Sequence, residues 1–208
     1  MLRAEERARE FDEEYGVDTG GYIHPTRLTL DLPNQVHAVS YGASDPQDVR
    51  SALASLPIVF ESFSFVDFGS GKGRVLLLAS EFPFKQVVGV EFSEELHRVA
   101  QQNISKLLRR EARCEKVESV CIDAVDYALP DHNLVCYFCN PFDEDLMSRV
   151  VANIRESLRL KRRDIYVLYY NAKEGHLFDR ESCFERVETN GWIRIWRTAE
   201  QVKEGVAC

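Results

Sequence analysis

Apolar residues along this chain follow two periods that alternate. Residues 65–68, 87–92, 117–122, 134–139 and 165–170 are short runs rich in aromatic and β-branched side chains, bounded by polar or turn-forming positions, and each reads as a buried strand. Between them the apolar spacing widens to three and four. Leu96, Val99, Ala100, Asn103, Ile104, Leu107 and Leu108 form one stripe of a long helix, and Leu146, Val150, Val151, Ile154 and Leu158 form another. Ser93 caps the first, with Glu94 and Glu95 where carboxylates favour the helix dipole, and Asp143 opens the second. Residues 74–79 make a shorter helix of good propensity, with no proline before Pro83. The run "VETNGWIRIW", with Asn190-Gly191 between two β-rich pieces, predicts a terminal hairpin. The expected class is α/β, a mostly parallel sheet with helices on both faces and a C-terminal antiparallel hairpin.

Composition narrows this picture. A chain of 208 residues, 45% hydrophobic and 29% charged, fits one globular domain that buries roughly 70% of its unfolded surface. A net charge of −8 argues against affinity built on phosphate neutralisation, so nucleic acid is not the expected partner. The two basic clusters, Arg109, Arg110 and Arg113, and Lys161, Arg162 and Arg163, read as solvated surface. The N-terminus "MLRAEERAREFDEEYG" lacks the apolar segment of a signal peptide, and no run approaches the ~20 residues of a membrane span, which points to the cytoplasm. Six cysteines are then expected as reduced thiols. Cys136 and Cys139 form a CxxC, but on a strand side chains three apart face opposite ways, which suits neither a shared metal nor a redox pair. No metal site is expected.

The candidate chemistry begins at "FVDFGSGKGRVLLLA". A strand, a glycine turn and a helix in succession expose backbone N–H groups at a helix start and let a ligand approach a backbone without Cβ atoms. In such sheets ligands bind outside the carboxyl ends of the strands, so those ends form a ring around one site. The first carries Asp67, Gly69, Gly71 and Gly73, the second Glu91, the third Asp123, and the fourth Asn140-Pro141-Phe142. Glu91 follows Gly69 by 22 residues, close to the ~20 at which an acid meets ribose hydroxyls. A dinucleotide fingerprint wants glycine or alanine at the sixth position of the turn, and here that position is Arg74.

From about Phe65 to the final hairpin the chain resembles the class I S-adenosylmethionine-dependent methyltransferases, through the first motif "VDFGSGKG", the second motif ending in an acid, "VVGVE", and the hairpin. The resemblance implies a Rossmann-like sheet of seven strands with the last one antiparallel. It implies S-adenosyl-L-methionine as cofactor, with Gly69, Ser70, Gly71 and Gly73 beside the methionine moiety, Asp67 near its amino group, and Glu91 and Phe92 at the ribose. Asp123 and Ala124 are implied at the adenine, although "CIDAVDY" offers Asp126 as well, and Tyr41 is implied as completing the pocket. Asn140-Pro141-Phe142 is similar to the motif of amino-group methyltransferases, in which the asparagine meets the target nitrogen; their stricter form has two prolines where this chain has one. A looser likeness to the non-SET histone lysine methyltransferases rests on the glycine motif and the Asn-x-Phe.

The reaction implied is direct methyl transfer to an unidentified acceptor of a protein or small molecule, with His24, His37, Tyr41 and Tyr170 as candidate bases by type. The alternatives are a non-catalytic S-adenosylmethionine- or nucleoside-binding regulator and a small NAD-dependent reductase; against the reductase stand Arg74 and the lack of a Tyr-x-x-x-Lys pair on a helix. Residues 1–60 are expected as a cover segment and 61–208 as the cofactor-binding domain. Gly16, Gly20, Gly21 and Gly42, among aromatic and hydroxyl residues that include Tyr22, Tyr41 and Ser44, suit a loop that closes over a ligand. The plainer reading of that region is a surface helix over residues 4–15 followed by a linker.

Overall fold

The computed structural model describes residues 2–24, 41–107, 112–187 and 191–200; His37, Leu108, Arg109, Arg110 and Asn190, singled out above, lie outside them, as does Cys208. Helix α1 (Leu2–Tyr15) precedes a two-stranded antiparallel ladder, β1 (Tyr22–Ile23) with β2 (Tyr41–Gly42), and helix α2 (Pro46–Ala54). The Asp45 carboxylate accepts from the Gln47 N–H, and Pro46 occupies the first turn, where its missing N–H costs nothing.

The strands of the main sheet are β3 (Ser64–Phe68), β4 (Gln86–Glu91), β5 (Val117–Cys121), β6 (Leu134–Phe138), β7 (Ile165–Tyr170), β8 (Phe184–Val187) and β9 (Ile193–Thr198). Their order across the sheet is β5-β4-β3-β6-β7-β9-β8. The first five are parallel, and β9 runs antiparallel to both neighbours. Four further helices are α3 (Arg74–Ala79), α4 (Glu94–Leu107), α5 (Glu144–Leu160) and α6 (His176–Asp179). The seven-stranded Rossmann-like sheet with its antiparallel end is therefore present; each of the five parallel strands expected from sequence lies within a residue of its run, while the first hairpin strand, β8, lies before the expected run and shares only Val187 with it.

Alternation along the strands divides the core between the two sheet faces. Val66, Phe68, Cys136, Phe138, Val167 and Tyr169 pack on one side with Leu146, Val150, Ile154 and Leu158 of α5. Phe65, Val135, Tyr137 and Leu168 pack on the other with Val49 and Leu53 of α2, Leu76 and Leu78 of α3, and Phe11 of α1. Burial on both faces is why β6 reads as a continuous apolar run, and β3 does so apart from Ser64 and Asp67. Cys136 belongs to the first cluster and Cys139 packs against the second, so the CxxC thiols diverge.

Helix α1 is not a free surface helix. Phe11 is 3% exposed, which stabilises the docked helix by about 1.5–3 kcal/mol. Arg7 pairs with Asp45, and the Tyr15 hydroxyl donates to Glu81 at 2.6 Å beside Arg50, which donates to the same carboxylate. Among the described residues, no helix is long and apolar enough to cross a membrane.

Candidate functional site

The sheet order reverses at β3, with β4 on one side and β6 on the other, and the crevice outside their carboxyl ends is the natural ligand site. A cleft with about 700 Å³ of atom-free space, part of it continuous with solvent, opens there. Its floor is the turn after β3. Gly69, Gly71 and Gly73 have φ of 78°, 53° and 85°, left-handed values that a side chain disfavours. The Val90 carbonyl accepts from the N–H groups of Gly69 at 2.9 Å and Ser70 at 3.1 Å, folding the turn against β4. A Cβ on Gly69 would lie 2.5 Å from Cβ of Pro141, so this glycine lets the turn meet the loop after β6. Gly73 serves packing instead: its Cβ would lie 3.2 Å from that of Ala100 on α4.

Glu91 ends β4 and is 4% exposed. One carboxylate oxygen accepts from the Gly71 N–H at 2.8 Å and the other from the Ser93 N–H at 2.9 Å. Burial pushes its pKa up to about 7, against the pull of the backbone N–H groups of Ser93, Gly71 and Phe92. Asp67, 2% exposed, is held well above the usual carboxylate range by burial and then by the nearby charge of Glu91. Two buried acids in one cleft favour a ligand that carries positive charge and hydroxyl donors.

The fourth strand end supplies the opposite wall. Asn140 has φ of 46°, and its buried Oδ1 has no hydrogen-bond partner. Phe142, 3% exposed, anchors this loop in the core, and Asp143 caps α5 by accepting from the Leu146 N–H at 3.0 Å. Cys139 lines the cleft beside them, its thiol pushed up to about 11 by burial and thus no nucleophile at neutral pH.

The structure brings Asp67, Gly69, Ser70, Gly71, Glu91, Phe92, Asn140, Pro141 and Phe142 to this one cleft. Gly73, Asp123 and Ala124 are not among its lining residues. Asp123 turns the chain after β5 by accepting from the Val125 N–H at 3.0 Å, and Ala124 sits in the core. Tyr41 lies in β2 next to Gly42, which does line the cleft. Gly42 and Ser44, from the segment expected to cover the ligand, also line it, while sequence reasoning missed Ala43, Arg74, Val75, Leu96 and Cys139. Arg74 alone left a signal, as the departure from the dinucleotide pattern.

Residues 65–161 match the model of a family described as "Methyltransferase domain". The chain carries a class I S-adenosylmethionine-dependent methyltransferase domain. It is therefore an enzyme that uses S-adenosylmethionine, and the reductase and non-catalytic readings give way to this one. Three solved structures share the methyltransferase's fold. A putative methylase from Haemophilus influenzae is 17% identical over 74% of this chain and 98% of its own, with a TM-score of 0.54. A putative S-adenosyl-L-methionine-dependent methyltransferase from Methanococcus maripaludis is 16% identical over 74% and 84%, with a TM-score of 0.52. An RNA methyltransferase from Salinibacter ruber, in complex with S-adenosyl-L-homocysteine, is 19% identical over 75% and 92%, with a TM-score of 0.50. No curated protein matches the methyltransferase significantly in sequence.

The cleft fits this cofactor on its own terms. The glycine turn leaves backbone room, the paired acids suit a ligand bearing an ammonium, a sulfonium and a ribose diol, and the lone pairs that Glu91 does not use on the backbone remain for hydroxyl donors.

Proposed function

We propose that the methyl acceptor is an amine nitrogen, of a small molecule or a protein, and that Asn140 positions it. One observation carries this reading: the Asn140 Oδ1 is a buried acceptor without a partner, in the cleft and across from the glycine turn. Leaving such an atom unpaired costs about 1–3 kcal/mol, and an amine N–H recovers it while orienting the nitrogen lone pair. A hydroxyl could donate to the same oxygen but is a poor nucleophile until a base takes its proton, whereas a neutral amine already carries its nucleophilic lone pair after donating.

When bound, S-adenosylmethionine supplies an activated methyl group. Asp67 meets its ammonium, Glu91 its ribose hydroxyls with Phe92 alongside, and Gly69, Ser70 and Gly71 line its methionine end. Asp123 and Ala124 lie on the side assigned to adenine, and Tyr41 belongs to the strand beside the cleft. Pro141, packed against the glycine turn, and Phe142, anchored in the core, hold the loop that carries Asn140. An amine must arrive neutral, and burial in the cleft lowers its pKa toward that form. Tyr170, whose hydroxyl burial pushes up to about 12, stays protonated at neutral pH and is not the base. A net charge of −8 draws cationic acceptors toward the protein at long range. Residues 1–60 serve as the cover of this site and 61–208 as the catalytic domain, in the cytoplasm.

Methyl-labelled cofactor, offered with an extract of the source cells to wild type and to Asn140→Ala, tests the proposal. Label on nitrogen that falls at least about ten-fold in the variant, with cofactor affinity kept, supports it. Label on oxygen or carbon overturns it.

A further inference from the structure

The glycine turn that floors the cleft has little side chain of its own, so something outside it must hold its shape. That support comes from residues 12–20. The Asp12 carboxylate accepts from the N–H groups of Thr19 at 2.9 Å and Gly20 at 2.8 Å, and from the Thr19 hydroxyl. Arg74, the first residue of α3 and only 2% exposed, reaches this turn from the other side. Its Nε donates to the Thr19 hydroxyl oxygen at 2.7 Å, and one terminal nitrogen lies 3.4 Å from both Asp12 Oδ1 and the Ala8 carbonyl. The other terminal nitrogen donates to the Ser44 carbonyl at 3.4 Å.

Two more ties run in parallel. Lys72, between Gly71 and Gly73, donates to Asp18 at 2.8 Å and to the Gly20 carbonyl at 2.9 Å. Asn103 of α4, 1% exposed, donates to the carbonyls of both Asp18 and Lys72, at 2.8 and 2.9 Å. The inner side of the glycine turn faces the cleft and its outer side is bound to residues 12–20. Ser44, on the far arm of Arg74, lines the same cleft and shares a buried hydrogen bond of 2.7 Å with the Tyr137 hydroxyl.

We propose that Asp12 and Arg74 are positioning residues for the cofactor, holding the glycine turn and the Ser44 wall in the geometry that binding requires. The proposal rests on the cofactor lying in this cleft. Affinity is gained by removing the ordering cost of a flexible site before the ligand arrives, and a turn of three left-handed glycines has an unusually large cost to remove. Coupling of this kind is reciprocal, so a ligand on the turn must also steady residues 12–20.

The test uses S-adenosylhomocysteine and the full chain. Calorimetric titration is run on wild type, Arg74→Met, Asp12→Asn and Arg50→Met, each below its own unfolding transition. Arg50 ties α1 and α2 to Glu81, beyond the far end of α3, and serves as the control for stability alone. Arg74→Met is expected to weaken binding about ten-fold or more and Asp12→Asn about three- to ten-fold, while Arg50→Met lowers the thermal midpoint and stays within about two-fold of wild type. In wild type, the ligand is expected to slow amide exchange at Thr19 and Gly20. That measurement decides the matter if a variant fails to fold. Unchanged affinity in folded Arg74→Met, or exchange at Thr19 and Gly20 indifferent to ligand, overturns the proposal. Failure of wild type to bind the ligand overturns instead the placement of the cofactor.

Discussion

Replacing Glu91 with glutamine separates the two things this carboxylate does. In the folded protein its pKa stands at about 7, against 4.5 for the ordinary group. At 1.36 kcal/mol per pH unit, that difference is worth about 3 kcal/mol. A raised pKa means that the folded state binds the proton more tightly than the unfolded chain. The contribution is fully present below 4.5 and is lost as pH rises through 7. Wild type is therefore expected to lose about 3 kcal/mol of this contribution between about pH 5 and about pH 8, in the absence of cofactor. Glutamine removes the titration but has one acceptor oxygen where the carboxylate has two, so the N–H of Gly71 or of Ser93 loses its partner. That costs about 1–3 kcal/mol at every pH. The two curves of stability against pH should diverge at low pH, with wild type higher, and draw together at high pH. At roughly 2–4 °C per kcal/mol for a chain of this size, the change in separation amounts to about 6–12 °C in midpoint. Scanning calorimetry across that range, without and with S-adenosylmethionine, measures it. Parallel curves for the two proteins would show that Glu91 does not titrate near neutrality and that the reading of its burial is wrong.

Other perturbations probe the rest of the site. Gly69→Ala must adopt φ of 78° and place its Cβ 2.5 Å from that of Pro141; a loss of about 2–4 kcal/mol in denaturant unfolding and a marked fall in cofactor affinity are expected. Asn140→Ala should leave S-adenosylhomocysteine affinity within about three-fold while slowing transfer about ten-fold to a thousand-fold, and wild-type turnover would mean that the loop is structural only. Deleting residues 1–24 removes Asp12 from beside the buried Arg74 and uncovers the core under Phe11. A loss of about 3–5 kcal/mol from the orphaned charge alone is expected, and a deletion variant with the wild-type midpoint in urea would refute it.

Much of the catalytic face was legible from neighbours in the chain. Asp143 before an apolar stripe, a β-rich run ending in Asp-x-Gly-x-Gly-x-Gly, and an acid at the end of the next strand are local patterns, because capping, turn geometry and strand alternation depend on residues a few positions apart. Gly69 and Glu91 came together in space because a strand-turn-helix-strand unit leaves few ways to arrange itself. Tertiary structure alone decided the outer side of the site. Arg74 meets Thr19, Asp12 and Ala8 across separations of 55 to 66 residues, and Ser44 meets Tyr137 across 93. No period or propensity encodes such pairs; they arise because a buried guanidinium must find acceptors wherever the fold supplies them. The same holds for Gly73, which looked like a ligand-facing glycine of the motif and instead admits Ala100. It holds as well for the first helix, whose charged sequence reads as solvated surface until Phe11 and the Tyr15 hydroxyl are given a core and Glu81 to meet. Local sequence specifies what a segment tends to form, while the neighbours that enclose it, and hence its burial and charge, exist only once the chain has folded.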